Sequence, residues 1–217
     1  MGAIVIEQSV RTAEERSNLY GFLAAIYRVE PTAELLRQVK EPSFREALVA
    51  VGISLDEYFL PTPEDRLLDG LAVEYTRLFL GPGTHVSPHG SVHMPGEDGL
   101  LWRNSTVAAK KFMQSLGVDF RPEYHGLPDH ISVELEFMQK LAQAEARAWH
   151  AGDRAKAMSY RSIEKEFLDN HLSKWVPVFC DKLKMQATLS FYREMAKLLE
   201  GFIGIDKEEW TRTSQGE

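Results

Sequence analysis

Cysteine is nearly missing from this 217-residue chain, where Cys180 stands alone. One cysteine excludes an intrachain disulfide and fits a reducing compartment. Its apolar surroundings, PVFCDKL, predict a small core residue rather than a reactive thiol. Long apolar runs are also lacking. None approaches the roughly 18–20 residues needed to cross a bilayer. The opening MGAIVIEQSV has neither the basic start nor the cleavage-like segment of an export signal, and Ile6 stands where a myristoylation site carries Ser or Thr. A cytoplasmic chain is expected. Basic excess is missing too: 25 Lys and Arg face 32 Asp and Glu, for a net charge of -7. That balance argues against a general grip on nucleic acid, which needs concentrated Lys and Arg to displace counterions, and favours a basic or apolar partner. No phosphate loop, dinucleotide fingerprint, nucleophile elbow or zinc-type cysteine set occurs.

What the chain does have is helical periodicity. Leu19, Phe22, Leu23, Ile26 and Tyr27 form the buried stripe of a helix, with Thr12 a capping candidate, Glu15 at the capping-box position, and an end before Pro31. Short helices are expected at 32–40 and 43–50. A further helix starts from Thr62 and Pro63, buries Leu68, Leu71, Tyr75, Leu78 and Phe79, and stops at Gly81-Pro82-Gly83. The segment NSTVAAKKFMQSLGVDF reads as a helix closed by Gly117. Another helix places Pro128 and Asp129 in its first turn, runs through Ile131, Leu135, Met138 and Ala142, and ends at Gly152. Pro177 predicts one helix to about His171 and a separate one beyond it. A last helix fits Thr188 to Phe202, with a disordered tail after about 205. With no alternating strand series and no internal repeat, the expected fold is all-α: one domain over 1–217, a bundle of about eight to ten helices.

Residues 81–99, GPGTHVSPHGSVHMPGEDG, hold five glycines and three prolines, too many for a regular element. A loop of this length in a compact domain is mobile or functional. His85, His89 and His93 recur every fourth residue and would share a face on a helix, as metal ligands can. Pro88 and Gly90 lie between them, so the spacing loses that meaning, and His-Glu-x-x-His is missing. Convergence on a metal, helped by Glu97, Asp98 or His130, remains the enzyme alternative. Glu134 and Glu136, two residues apart on a helix, point in different directions and read as solvated charges. Asp129 and His130 read either as a capped helix start or as a partner contact.

Three ordered motifs resemble those of the TorD/DmsD-type redox enzyme maturation chaperones. Tyr75, Leu78, Phe79, Gly81 and Pro82 match the first; Pro88, Ser91 and Val92 match the second. Pro128, Asp129 and His130 match the third, with Glu134, Leu135, Phe137 and Met138 downstream. Phe167, His171, Leu172, Trp175, Pro177 and Phe179 look like the family's later helix junction. The likeness spans roughly residues 15–200. Departures occur at Ser87, where proline is frequent, at His89 and His93, where aromatic residues are common, and at Gly126, where glutamate often stands, with Glu123 a substitute from a shifted loop.

This resemblance implies binding without bond chemistry. The expected client is the catalytic subunit of a molybdopterin oxidoreductase, held through its twin-arginine leader until cofactor insertion is complete. Tyr75, Phe79, His89, Ser91, Asp129, His130 and Glu134 are the implied contacts, with Asp129 attracting arginine. No cofactor is expected, and guanine nucleotide binding, associated with some relatives, finds no phosphate loop here. A monomer or a helix-exchanged dimer is implied, the 81–99 loop serving as hinge in the dimer.

Overall fold

Helix α1 (Gly2–Arg28) starts a full ten residues before the expected cap. Thr12 lies inside it, because nothing between Gly2 and Arg11 breaks a helix, and the Arg11–Glu15 ion pair continues the same helical face. The computed structural model describes residues 2–55, 59–83, 85–118 and 126–213; in the helical stretches 2–4 and 209–213 it describes backbone only. Nine α-helices occur among the described residues, and no strand occurs among them.

After α1 come α2 (Ala33–Lys40) and α3 (Pro42–Ala50), as the spacing predicts. Thr32 caps α2 by accepting from the Leu35 amide at 3.2 Å. Helix α4 (Glu64–Tyr75) has Pro63 at its cap and passes into a wider π turn, Thr76–Leu80. Thr62 therefore does not cap it. Helix α5 (Asn104–Ser115) is followed by Gly117, whose positive φ of 78° reverses the chain; the last two residues of the expected segment lie outside the described residues.

Helix α6 (Ile131–His150) packs along α1. The two approach closely at Gly21, where a Cβ would fall 2.3 Å from Gln139 Nε2, and Ser17 Oγ donates to the Gln139 carbonyl at 3.1 Å. Helix α7 (Arg154–Phe167), a π turn at Leu168–Leu172 and α8 (Ser173–Gln186) then form one continuous helical stretch. The junction expected at about His171 falls at this π turn, without interrupting the helical path, and Pro177 sits inside α8 instead of causing it. Pro177 is exposed in α8, where one missing amide costs a single backbone bond that solvent can replace. Helix α9 (Ser190–Thr213) outruns the expected Thr188–Phe202 and buries Asp206 where a disordered tail was expected.

The core is aromatic, with Tyr20, Tyr27, Phe59, Phe167, Phe179 and Phe191 fully enclosed. Phe59 and Phe191 stack with centroids 5.5 Å apart. Cys180 lies among them with no exposed surface, and burial pushes its thiol pKa up, which makes it an inert core residue.

A buried ionic cluster ties α1, α6, α7 and α9. Arg16 Nη1 donates to Glu145 at 2.9 Å, Nε to Asp206 at 2.7 Å, and Nη2 to Glu164. Tyr20 hydroxyl also donates to Asp206, Trp149 Nε1 donates to Glu145 at 2.9 Å, and Arg161 reaches the same carboxylate at 3.4 Å. Two guanidiniums thus face three carboxylates. Burial raises the Glu164 pKa to about 8 against the pull of Arg16, with Glu145 and Asp206 adding to the rise, so its charge is the least favoured of the three.

Arg16→Met strands those carboxylates and should cost about 3–5 kcal/mol of stability in urea unfolding. Glu164→Gln, which keeps the shape and removes a charge that burial disfavours, should cost far less.

Candidate functional site

Proline and glycine deny the 81–99 segment a helix or strand, so its buried amides need partners elsewhere. They find them before α6. Gly90 N–H donates to the Asp129 carbonyl and Ile131 N–H to the Pro88 carbonyl, both at 2.8 Å. This clamp is an isolated antiparallel bridge centred on His89 and His130. Gly90–Val92 then forms one 3-10 turn, and Val86, Ser91 and His93 are buried. The segment expected to be irregular and hinge-like is therefore pinned in its middle. Gly90 must lack a side chain, since a Cβ would sit 2.9 Å from Trp175 Nε1 and 3.0 Å from Cε2.

Asp129 is the polar centre of the clamp. It was expected in the first turn of α6, but the capping residue is His130, whose Nδ1 accepts from the Ser132 amide at 3.2 Å. That acceptance leaves the ring proton on Nε2. Freed from capping, Asp129 Oδ2 accepts from the Ser91 amide and the Thr106 hydroxyl, each at 2.9 Å, joining the loop to α5. Oδ1 has no hydrogen-bond partner and lies 3.9 Å from His89 Nδ1, itself unpartnered, as is the Ser91 hydroxyl. No nucleophile–base pair forms: the hydroxyl and the imidazole nitrogen are buried without bonding each other.

The histidines do not converge. His85 is exposed and bonds the Gly83 carbonyl, whereas His93 lies flat on Trp175, its ring 8° from the indole plane. His93 Nε2 donates to the Ser87 carbonyl at 2.7 Å while Nδ1 accepts from Lys182 at 3.1 Å. His89 meets His130 edge to face, with centroids 5.0 Å apart. Among the described residues no three His, Cys, Asp or Glu are placed to hold a metal. Imidazole here fills aromatic positions. Burial lowers the pKa of His89 and His93, and takes His130 down to about 4 with His89 adding to the effect and Asp129 opposing it.

Glu134 is not a solvated charge. It is 1 % exposed and accepts from Trp175 Nε1 at 3.2 Å. Burial raises its pKa to about 8, against the Trp175 bond and with help from Asp129, so it is neutral at pH 7. Glu136, one face away, is half-buried and pairs with Arg28. Tyr75 and Phe79 lie apart from the clamp, packed on Tyr192 and on each other, and the Tyr75 hydroxyl donates to the Tyr27 carbonyl at 3.2 Å. A file of rings nevertheless joins them to it: Phe79 to Phe179 at 6.4 Å, Phe179 to Trp175 at 5.7 Å, and Trp175 to Glu134. Thr106 escaped the sequence reading, having only the capping-like NST to mark it. Glu123, offered as a substitute acid, lies outside the described residues.

Of the implied contacts, His130 alone lines an open groove, with a volume of about 910 Å³, between α1, α5, α6 and α7. Met113, Leu116, Val133, Phe137 and Leu141 supply apolar walls, while Arg28, Glu136 and Lys140 bring charge. No helix among the described residues is long and apolar enough to cross a membrane.

The model of the family described as nitrate reductase delta subunit matches residues 33–181. Among named relatives, "Chaperone protein TorD" of Photobacterium profundum is 26% identical, covering 93% of this chain and 96% of its own. The protein of that name from Vibrio parahaemolyticus is 24% identical, covering 89% and 93%. These relatives are named as chaperones, not enzymes. Among solved structures, a candidate redox enzyme maturation protein from Archaeoglobus fulgidus superposes with a TM-score of 0.53 at 18% identity, covering 87% of this chain and 93% of that one. The shared all-α fold agrees with the sequence reading.

Glu134 and His130 respond to pH with opposite sign. Glu134, raised in the folded state, contributes stability that is lost as pH rises from about 4.5 through 8; His130, lowered, contributes stability lost as pH falls from about 6.5 through 4. Thermal unfolding of Glu134→Gln should therefore show a smaller loss of melting temperature between pH 6.5 and 8.5 than the native chain. Gly90→Ala should destabilise by about 1–3 kcal/mol by pushing Trp175 off the loop, read as a change in Trp near-UV circular dichroism.

Proposed function

Because the chain belongs to the nitrate reductase delta subunit family, and relatives covering nearly its whole length are named TorD chaperones, we propose that it is a maturation chaperone for a molybdopterin oxidoreductase. Its partner is the catalytic subunit, bound in the cytoplasm through a twin-arginine leader and released once the cofactor is in place. The observation that carries this reading is the groove beside His130: an apolar trough with a carboxylate at its side. A leader of that kind joins an apolar stretch to two arginines, and the two halves fit the two kinds of lining. Apolar residues lie against Val133 and Phe137. A leader guanidinium displaces Arg28 from Glu136, a half-exposed pair that costs little to break.

The clamp's role in this reading is positional. Asp129, at 1 % exposure, cannot meet an arginine directly while it holds Ser91 and Thr106. It fixes His130, whose half-buried ring touches the groove. Tyr75, Phe79, Ser91 and Glu134 support that arrangement from behind, and His89 packs on the His130 ring.

Titration calorimetry with a synthetic Arg-Arg leader peptide tests the reading. Val133→Glu, which puts a charge in the trough, should weaken binding at least tenfold with unchanged helical circular dichroism, and His130→Ala should weaken it less. Native affinity in both variants would refute the groove as the leader's site.

A further inference from the structure

Between the clamp and α5 the chain turns its apolar residues outward. Leu100 is 55 % exposed, Leu101 45 % and Trp102 59 %. Trp102 is also the one non-glycine with positive φ among the described residues, at 60°. A bulky side chain in the left-handed region is strained, and the indole at this position lies in water.

The neighbours hold it there. Asp98 takes Arg103 through two bonds, Nε at 2.6 Å and Nη2 at 2.8 Å, closing the base of the tip. Just outside, Glu97 accepts from the Ser105 amide at 2.9 Å and its hydroxyl at 2.6 Å, locking the tip to the start of α5. The tip is thus a braced projection, not a loose loop. Three large exposed apolar groups in a row, including a Trp, are what a binding surface offers.

We propose that the Leu100–Trp102 tip is a second docking surface of the chaperone, taking an unfolded apolar segment of the same client polypeptide whose leader occupies the groove; only the client's identity rests on the function proposed above. Charge favours a polypeptide over a lipid surface. At the tip Asp98 and Arg103 cancel each other and Glu97 adds an acid, so residues 97–103 hold no basic cluster of the kind anionic headgroups require. The two surfaces also share a support. Helix α5 starts beside the tip and reaches the groove through Met113 and, just past its end, Leu116. From Asn104 to Leu116 is about 18 Å at helical rise, a gap that about five or six extended residues span. A client held in the groove therefore needs a short spacer before its next apolar segment reaches the tip.

Two probes separate the surfaces: the Arg-Arg leader peptide, and a reduced, alkylated, permanently unfolded polypeptide. The unfolded polypeptide should bind the native chain with a blue shift of Trp102 emission, identified by subtracting the same titration of Trp102→Gly. Leu100→Ser and Trp102→Gly should each weaken that binding at least fivefold and leave leader affinity unchanged. Because glycine relieves the strain, Trp102→Gly should melt no lower than the native chain. Native binding of the unfolded polypeptide by both variants overturns the inference, as does a lower melting temperature of Trp102→Gly, which would make the tip a structural element. Anionic vesicles shifting Trp102 emission where the polypeptide does not would assign the tip to lipid and overturn it as well. Failure of the leader to bind the native chain removes the function proposed above and leaves the tip's own result standing.

Discussion

One carboxylate oxygen, Asp129 Oδ2, governs how the groove is built. It accepts from the Ser91 amide and the Thr106 hydroxyl, so a single buried atom fixes a proline-rich loop, the start of α5 and the residue before α6. Charged acceptors hold such bonds more tightly than neutral ones, and an alternative partner is absent once water is excluded. Everything at the open face follows from that fixing. The bridge aligns Pro88–Gly90 with Asp129–Ile131, the bridge sets His130 as the cap of α6, and α6 then presents Val133 and Phe137 along the trough.

The polar groups buried at the other end of α6 solve a different problem. Around Arg16 the chain pairs charge internally, setting two guanidiniums against three carboxylates. Around Asp129 it leaves three polar atoms without partners, against one, Glu164 Oε1, in the Arg16 cluster. The first arrangement holds four helices together. The second is a place where closure is incomplete, and it is found next to the groove, where a tightly satisfied network would resist the adjustment that binding requires.

Much of this was legible beforehand because it rests on local chemistry. Helical periodicity located the elements, and the Gly-Pro segment marked the loop. Failures fell where tertiary contacts override local rules. Thr12 looks like a cap only if the helix begins there, and the chain upstream contains nothing to stop it. Asp129 next to a helix start reads as a cap, yet a second donor set from Ser91 and Thr106 outcompetes that role. Glu134 carries a charged letter in the sequence, but burial raises its pKa towards the neutral acid, against the hydrogen bond it accepts from an indole some forty residues away. Histidines spaced by four suggested ligands; instead His93 stacks on Trp175 and His89 meets His130 edge to face across the bridge.

The sealed Cys180 has a practical meaning for anyone who wants to watch this molecule. With its sulfur fully enclosed and burial disfavouring the thiolate, thiol-directed dyes and spin labels pass it by while the fold is intact. The native chain already behaves as a cysteine-free background, on which one introduced thiol beside the groove and another on α5 form a ruler for following a guest as it arrives.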